Sequence, residues 1–111
     1  MSENAIQDAI AEAIRDHEVI LFMKGTPERP ACGFSARTVA ALESLGTAFA
    51  AVDILPDPRI RQELSAISNW PTIPQLYVNG EFVGGCDIVR EMFETGELKQ
   101  LLEEKGVPVR A

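Results

Sequence analysis

The spacing of hydrophobic residues changes several times along the chain, and each spacing predicts a different kind of element. From about Asn4 to Arg15 the apolar residues recur at positions 6, 9, 10, 13 and 14, which is one face of a helix. Val19–Met23 is instead a run of five apolar residues, too short for a helix and without alternation. Such a run is typical of a strand that is buried on both faces. The first part of the chain therefore predicts a helix followed by a buried strand.

A loop and a second helix are predicted after this strand. Lys24–Pro30 holds one glycine and two prolines, a composition typical of a loop. From Gly33 onward the apolar residues return to helical spacing, until Gly46 supplies a C-terminal stop signal. Cys32 is therefore expected at or just before the first turn of this helix.

A second strand and a third helix follow. Ala48–Ile54 is predicted to be a strand, and Asp57 followed by Pro58 is typical of an N-cap with proline at the first helical position. Apolar residues at positions 60, 64 and 67 give this helix a buried face. Because a crossover helix joins the first two strands, we expect them to be parallel.

The last part of the chain predicts a hairpin and two more helices. Asn79-Gly80, the strongest short signal for a two-residue hairpin turn, lies between strands predicted at 74–78 and 81–83. One helix is expected to begin at Cys86-Asp87, and Gly96 separates it from a final helix. The tail, residues 106–111, is expected to be frayed.

The predicted order of elements is therefore α-β-α-β-α-β-β-α-α. It indicates an α/β fold, a four-stranded mixed sheet flanked by helices on both faces. A length of 111 residues is close to that of one typical domain, and the sequence shows no repeat, linker or low-complexity tract. We therefore expect residues 1–111 to form a single domain.

Composition and charge argue against several classes of function. No apolar run approaches the ~20 residues that cross a bilayer, so a membrane location is not expected. The N-terminus shows no basic segment followed by an apolar one, which leaves a cytoplasmic location as the expectation. A net charge of −7 opposes nucleic-acid binding, because that binding depends on cations that neutralise phosphates.

Cys32 is the strongest candidate for chemistry. Cys32 and Cys86, the two cysteines, fit neither a short-spaced zinc pattern nor a disulfide framework, so both are expected to be free thiols. A lone cysteine is more often a buried structural residue, but the Pro/Gly loop before Cys32 favours access. A helix N-terminus favours the reactive thiolate, and Lys24 can add a second positive charge.

The position where a dithiol motif would carry its second cysteine is Ser35. Exchange through an internal disulfide of that motif is therefore impossible, and any thiol exchange needs an external thiol.

Two further groups of residues suggest a ligand that carries both a negative carboxylate and a positive ammonium group. Gly84-Gly85-Cys86-Asp87 joins a strand to a helix whose first N–H groups can donate hydrogen bonds to a carboxylate, while the Asp87 carboxylate can pair with an ammonium group. The plainer alternatives are that Asp87 is only an N-cap and Cys86 only a small buried side chain. Arg59 and Arg61 lie in the first turns of the third helix, where cations oppose the dipole, so either can be a solvated surface residue or bind a carboxylate.

Four motifs together resemble those of the monothiol glutaredoxins of the CGFS type. They are Lys24-Gly25-Thr26-Pro27, Cys32-Gly33-Phe34-Ser35, Trp70-Pro71-Thr72-Ile73-Pro74-Gln75-Leu76 and Gly84-Gly85-Cys86-Asp87-Ile88, in the family's order and spacing. The similarity extends over about Asn4 to Lys105. The resemblance implies a thioredoxin-like fold, a cis peptide bond before Pro74 and a groove that binds glutathione beside Cys32.

The resemblance also implies a role for each residue of that groove. Lys24 and Arg61 would pair with the glycyl carboxylate of glutathione, Ile73 would hold the cysteinyl backbone, and Cys86 with Asp87 would take the γ-glutamyl head group. Thr72, Pro74 and Gly85 would shape the groove. One departure is Ser65, which stands where most members of the family have a lysine.

Two functions follow from a single working thiol. A [2Fe-2S] cluster needs four ligands, usually thiolates, so two Cys32 thiolates and two glutathiones would bridge a homodimer, which returns to a monomer without its cluster. The resemblance implies the same dimer, with transfer to iron–sulfur acceptor proteins and a BolA-like partner. The alternative is glutathione-dependent reduction of mixed disulfides with Cys32 as nucleophile. The long loop before Cys32 and the missing second thiol favour the cluster carrier.

Overall fold

The computed structural model describes residues 2–110. In chain order its elements are α1 (Ser2–Asp16), β1 (Val19–Met23), α2 (Gly33–Ser44), β2 (Ala50–Asp53), α3 (Pro58–Ser68), β3 (Gln75–Val78), β4 (Glu81–Gly84), α4 (Cys86–Thr95) and α5 (Glu97–Glu104). The predicted order of elements is confirmed. β2 is shorter than predicted, because it pairs only with Ile20–Met23 of β1. Within this range no helix combines the length and the apolar character that a membrane span requires.

β1 lies in the interior of the sheet, whose strand order is β2-β1-β3-β4. β1 and β2 are parallel, whereas β1–β3 and β3–β4 are antiparallel, so the predicted mixed sheet is confirmed. Every residue of β1 is buried. This burial on both faces explains why the strand is apolar throughout instead of alternating.

Alternate residues of β1 face two separate hydrophobic cores. Ile20 and Phe22 pack with apolar residues of α1 and α3 on one face of the sheet. Leu21 and Met23 pack on the other face with residues of α2, α4 and α5. Helices on both faces, as predicted, follow from this alternation of side chains along the strand.

The predicted helix start and hairpin turn are also confirmed. The Asp57 carboxylate accepts the N–H of Arg59 at 3.0 Å, and Pro58 is the first residue of α3. Between β3 and β4, Asn79 and Gly80 have φ angles of 50° and 82°. Two consecutive residues with positive φ are what a tight hairpin turn requires.

The tail is packed against the domain, so the prediction of a frayed tail is wrong for residues 106–110. Val107 is only 4% exposed, and its N–H donates to the carbonyl of Leu102 at 2.8 Å. The Thr47 hydroxyl donates to the carbonyl of Pro108 at 2.9 Å, and the N–H of Arg110 donates to the carbonyl of Leu45 at 3.0 Å. Burial of the apolar Val107 favours this packed arrangement over a solvated tail.

Candidate functional site

Cys32 is the N-cap of α2, as its position in the sequence predicts. Its backbone is extended, with φ −151° and ψ 154°, and its sulfur accepts the N–H of Ser35 at 3.4 Å. The sulfur therefore occupies the place that an oxygen of serine or aspartate usually takes at the start of a helix. The positive end of the helix dipole favours a negative charge there.

Ser35 connects the thiol to the loop that precedes it. The side chain of Ser35 is fully buried, and its Oγ lies 3.4 Å from Cys32 Sγ. The backbone N–H of Lys24 donates to the same Oγ at 3.1 Å. Because that N–H occupies a lone pair of the hydroxyl oxygen, the hydroxyl hydrogen can point at the sulfur once Cys32 is a thiolate. The sequence indicated only that Ser35 is not a second thiol, so this contact was missed.

The pKa of the Cys32 thiol lies below its ordinary value. Burial raises this pKa, but hydrogen bonds from the Ser35 hydroxyl and from the backbone of Ser35 and Phe34 lower it by more in total. The charge of Lys24 lowers it further. Hydrogen bonds and positive charge favour the thiolate because they act on its negative charge.

The loop between β1 and α2 is closed by its own backbone. The N–H of Ala31 donates to the carbonyl of Lys24 at 2.8 Å, and Thr26 and Arg29 exchange two backbone hydrogen bonds at 3.2 and 3.0 Å. Gly25 has φ 85°, and a Cβ at that position would collide with the backbone of Arg29 and Ala31. Glycine is thus required there, and the closed loop returns the chain to Cys32 beside Lys24.

A cavity of about 400 Å³ is lined by residues from five parts of the chain. The residues that the resemblance assigned to the groove all lie on its wall: Lys24, Arg61, Thr72, Ile73, Pro74, Gly85, Cys86 and Asp87. Cys32 is not among the described residues that form the wall. It is instead joined to the cavity through Ser35 and Lys24.

Charges of both signs line this cavity. Lys24 and Arg61 supply two cations, and Asp87 supplies a carboxylate. Asp87 is the second residue of α4, whose N-cap is Gly85, so the alternative that Asp87 is only an N-cap is wrong. The guanidinium of Arg59 lies 2.8 Å from the carboxylate of Asp57 in an exposed ion pair. Of the two arginines, Arg61 therefore faces the cavity.

The turn between α3 and β3 forms one wall of the cavity. The Ile73–Pro74 peptide bond is cis, as the resemblance implied. Gln75 is fully buried, and its Nε2 donates to the carbonyls of Trp70 and Thr72 at 3.0 and 3.2 Å. The hydroxyl of Tyr77 donates to Gln75 Oε1 at 3.0 Å. Gln75 thus fixes this turn, a role that the sequence analysis missed although a polar residue in an apolar strand was a visible signal.

Three apolar residues of the wall were also missed. Phe34 is 55% exposed and Ile88 36% exposed, and both border the cavity. Trp70 contributes its indole, whose buried Nε1 has no hydrogen-bond partner within residues 2–110. A Cβ on Gly85 would lie 3.1 Å from this nitrogen, a tight contact, so the close approach of the indole favours glycine at position 85.

Comparisons with known proteins agree with this geometry. The sequence profile of the glutaredoxin family matches residues 19–83. Glutaredoxin 4 of Escherichia coli is 55% identical over 104 residues, which cover 94% of this chain and 90% of that protein. A probable monothiol glutaredoxin 2 of Rickettsia typhi is 50% identical over 105 residues, which cover 95% of both chains. The chain belongs to the monothiol glutaredoxins.

A solved structure confirms the predicted fold of this monothiol glutaredoxin. The solution structure of a monomeric truncated mutant of Trypanosoma brucei 1-C-Grx1 matches with a TM-score of 0.86 and 43% identity, covering 95% of this chain and 96% of that one. The predicted thioredoxin-like fold is thereby confirmed.

Proposed function

We propose that this monothiol glutaredoxin binds glutathione in the cavity and, together with it, holds a [2Fe-2S] cluster as cargo for delivery to other proteins. The observation that carries the proposal is the charge arrangement of the cavity beside Cys32. Glutathione has two carboxylates, one ammonium group and one thiol. Lys24 and Arg61 match a carboxylate, and Asp87 matches the ammonium group.

Each end of glutathione has partners in this arrangement. The glycyl carboxylate pairs with Lys24 and Arg61, and the backbone of Ile73 holds the cysteinyl unit. The γ-glutamyl head group lies at Cys86 and Asp87, where the first N–H groups of α4 donate hydrogen bonds to its carboxylate. Thr72, Pro74 and Gly85 shape the wall between the two ends. This orientation directs the glutathione thiol towards Cys32.

A cluster can be held only if ligands come from more than one chain. The thiolate is the form that binds iron, and the lowered pKa of Cys32 favours it. One accessible cysteine and one glutathione supply two of the four ligands. We therefore propose that residues 1–111 act as a single domain that is a monomer when empty and a glutathione-bridged homodimer when loaded.

The proposed role includes partners and a location. Half of the cluster ligands are small and dissociable, so the cargo can be released to iron–sulfur acceptor proteins. The family resemblance adds a BolA-like protein as a partner of the loaded form. Free thiols at Cys32 and Cys86 suit a reducing compartment, which supports a cytoplasmic location.

The lowered pKa of Cys32 favours a second candidate function, glutathione-dependent reduction of mixed disulfides. The Cys32 thiolate would attack the glutathione sulfur of a protein–glutathione disulfide and release the protein as a thiolate. A second glutathione would then attack the Cys32–glutathione disulfide, free Cys32 and leave as oxidised glutathione. Ser35 offers no internal thiol for this second step, which favours the carrier.

Anaerobic reconstitution tests the proposed carrier function. With iron, sulfide and glutathione the wild-type protein should become coloured and elute as a dimer in size-exclusion chromatography. The same mixture without glutathione, or with Cys32→Ser, should give a colourless monomer. A Cys32→Ser protein that assembles a normal cluster would refute Cys32 as a ligand. Efficient turnover in a glutathione-coupled disulfide assay would instead favour the enzyme.

A further inference from the structure

Asp53 connects the two chain segments that carry the cations of the cavity. It is the last residue of β2 and pairs with Met23, the last residue of β1. Its Oδ1 accepts the N–H of Gly25 at 3.0 Å and the N–H of Leu55 at 3.0 Å. Gly25 directly follows Lys24, and Leu55 lies in the connection between β2 and α3, the helix that carries Arg61. One carboxylate oxygen therefore binds both segments.

The backbone around Lys24 depends on this contact. The N–H of Lys24 donates to Ser35 and its carbonyl accepts the N–H of Ala31, so both of its backbone groups are bonded. The third bond that fixes this part of the loop is the one from Gly25 to Asp53. Gly25 is buried, and without Asp53 its N–H would lose its acceptor. The loop would then have to shift at the residue next to Lys24.

We propose that Asp53 is a positioning residue for glutathione, which fixes the spacing between the Lys24 ammonium and the Arg61 guanidinium so that both bind one carboxylate. This inference rests on the proposed glutathione site. Asp53 is not among the described residues that line the cavity, so it acts through the two cations. Two cations converge on one carboxylate only if their separation is held, because misplacement of a binding group weakens its contact steeply.

The sign of the effect separates positioning from simple electrostatics. Asp53 carries a negative charge and lies between Lys24 and Arg61 in the sequence, at the end of β2. If its charge alone mattered, Asp53→Ala would strengthen the attraction of the cavity for a carboxylate. If it positions the cations, the same substitution weakens glutathione binding. The two interpretations thus predict opposite changes.

The experiment measures binding to the reduced, cluster-free protein by NMR titration of the backbone amides. The ligands are glutathione and its glycyl monoethyl ester, which lacks the carboxylate that the two cations bind. We expect Asp53→Ala to raise the dissociation constant of glutathione by about fivefold or more. The dissociation constant of the ester should change by less than about twofold, because the ester makes no use of the cation pair.

Two further variants complete the test. Asp53→Asn keeps an oxygen at the same place and loses the charge, so it should bind glutathione within about twofold of wild type. Asp53→Glu keeps the charge but displaces the oxygen by one methylene. We expect this variant to weaken glutathione binding as Asp53→Ala does. Glu63→Ala, which removes a carboxylate from the helix of Arg61, controls for loss of negative charge. It should not weaken glutathione binding.

Several results would overturn the inference. Unchanged or tighter glutathione binding by Asp53→Ala would refute the positioning role. An equal loss of affinity for glutathione and for the ester would refute it as well. If Asp53→Ala does not fold, Asp53→Glu decides, and wild-type affinity in that variant refutes the inference. A wild-type protein that binds neither ligand would refute the proposed glutathione site itself, and the inference with it. If only the role of Asp53 is wrong, the wild-type protein still binds glutathione.

Discussion

The backbone N–H of Lys24 donates to the hydroxyl oxygen of Ser35 at 3.1 Å. Ser35 Oγ is in turn 3.4 Å from the sulfur of Cys32. A cavity residue and the thiol are therefore connected through one buried hydroxyl. A displacement of the loop at Lys24 would therefore also alter the hydrogen bond between Ser35 and the Cys32 thiolate.

Ser35→Ala is expected to raise the pKa of Cys32, because the hydroxyl hydrogen bond that lowers it is lost. Only the thiolate reacts with iodoacetamide, so a raised pKa moves the pH midpoint of alkylation upward. The rate should be followed against pH in the reduced protein without iron. Ser44→Ala, a change at the exposed last residue of α2, is the matched control and should keep the wild-type midpoint. An identical midpoint in Ser35→Ala would contradict the role of the hydroxyl.

Arg61→Ala is expected to weaken glutathione binding by about tenfold, because a charge-assisted hydrogen bond to a carboxylate is lost. Arg59→Ala is its control two residues earlier on the same helix. Arg59 is paired with Asp57 outside the cavity, so its removal should change the affinity by less than about twofold. NMR titration with glutathione compares the two variants. Equal losses in both would show that general positive charge, not the position of Arg61, attracts the ligand.

Gln75→Leu is expected to lower the free energy of unfolding by about 2 to 3 kcal/mol, because it removes the two hydrogen bonds from Nε2 to the carbonyls of Trp70 and Thr72. Tyr77→Phe removes only the hydrogen bond to Gln75 Oε1 and should cost about 1 kcal/mol. Urea denaturation followed by circular dichroism measures both. A larger cost for Tyr77→Phe would contradict the view that the two carbonyl bonds hold the turn. Glutathione affinity should fall in Gln75→Leu as well.

Gly85→Ala is expected to displace the indole of Trp70, since the new Cβ would lie 3.1 Å from Trp70 Nε1 and 3.3 Å from the carbonyl of Pro74. Trp70 is the only tryptophan of the chain, so a change in its fluorescence reports on this wall directly. The control is Gly33→Ala, whose Cβ would meet nothing within 4 Å. Wild-type fluorescence and glutathione affinity in Gly85→Ala would show that the wall tolerates a side chain.

Local patterns in the sequence were sufficient for most of the fold. The apolar run of β1 and the Asn79-Gly80 turn each depend on neighbouring residues, and both were predicted correctly. The tail was not, because Val107 is buried by contacts with residues distant in the chain. A tail that is short and follows a glycine carries no local signal of such packing.

For the site, the motifs predicted which residues line the cavity, but not the hydrogen bonds that fix their positions. The choice of Arg61 over Arg59 came from the family resemblance, since both lie in the same turns of one helix. Gln75 bonds to the nearby residues Trp70 and Thr72, and its signal, a polar residue in an apolar strand, was visible but not used. The role of Asp53 depends instead on a hydrogen bond to Gly25, whose proximity only the folded chain establishes. Side-chain hydrogen bonds across long sequence distances leave no periodic pattern to detect.

The packed tail has a practical consequence for attaching this domain to other molecules. Arg110 binds the carbonyl of Leu45, just beyond the C-terminal end of α2, whereas Cys32 caps the opposite end of that helix. A helix of 12 residues rises about 18 Å. A fluorescent protein or surface tether attached at Arg110 would therefore be separated from the Cys32 sulfur by about the length of this helix. Immobilised in this way, the domain would leave Cys32 and the cavity accessible from solution.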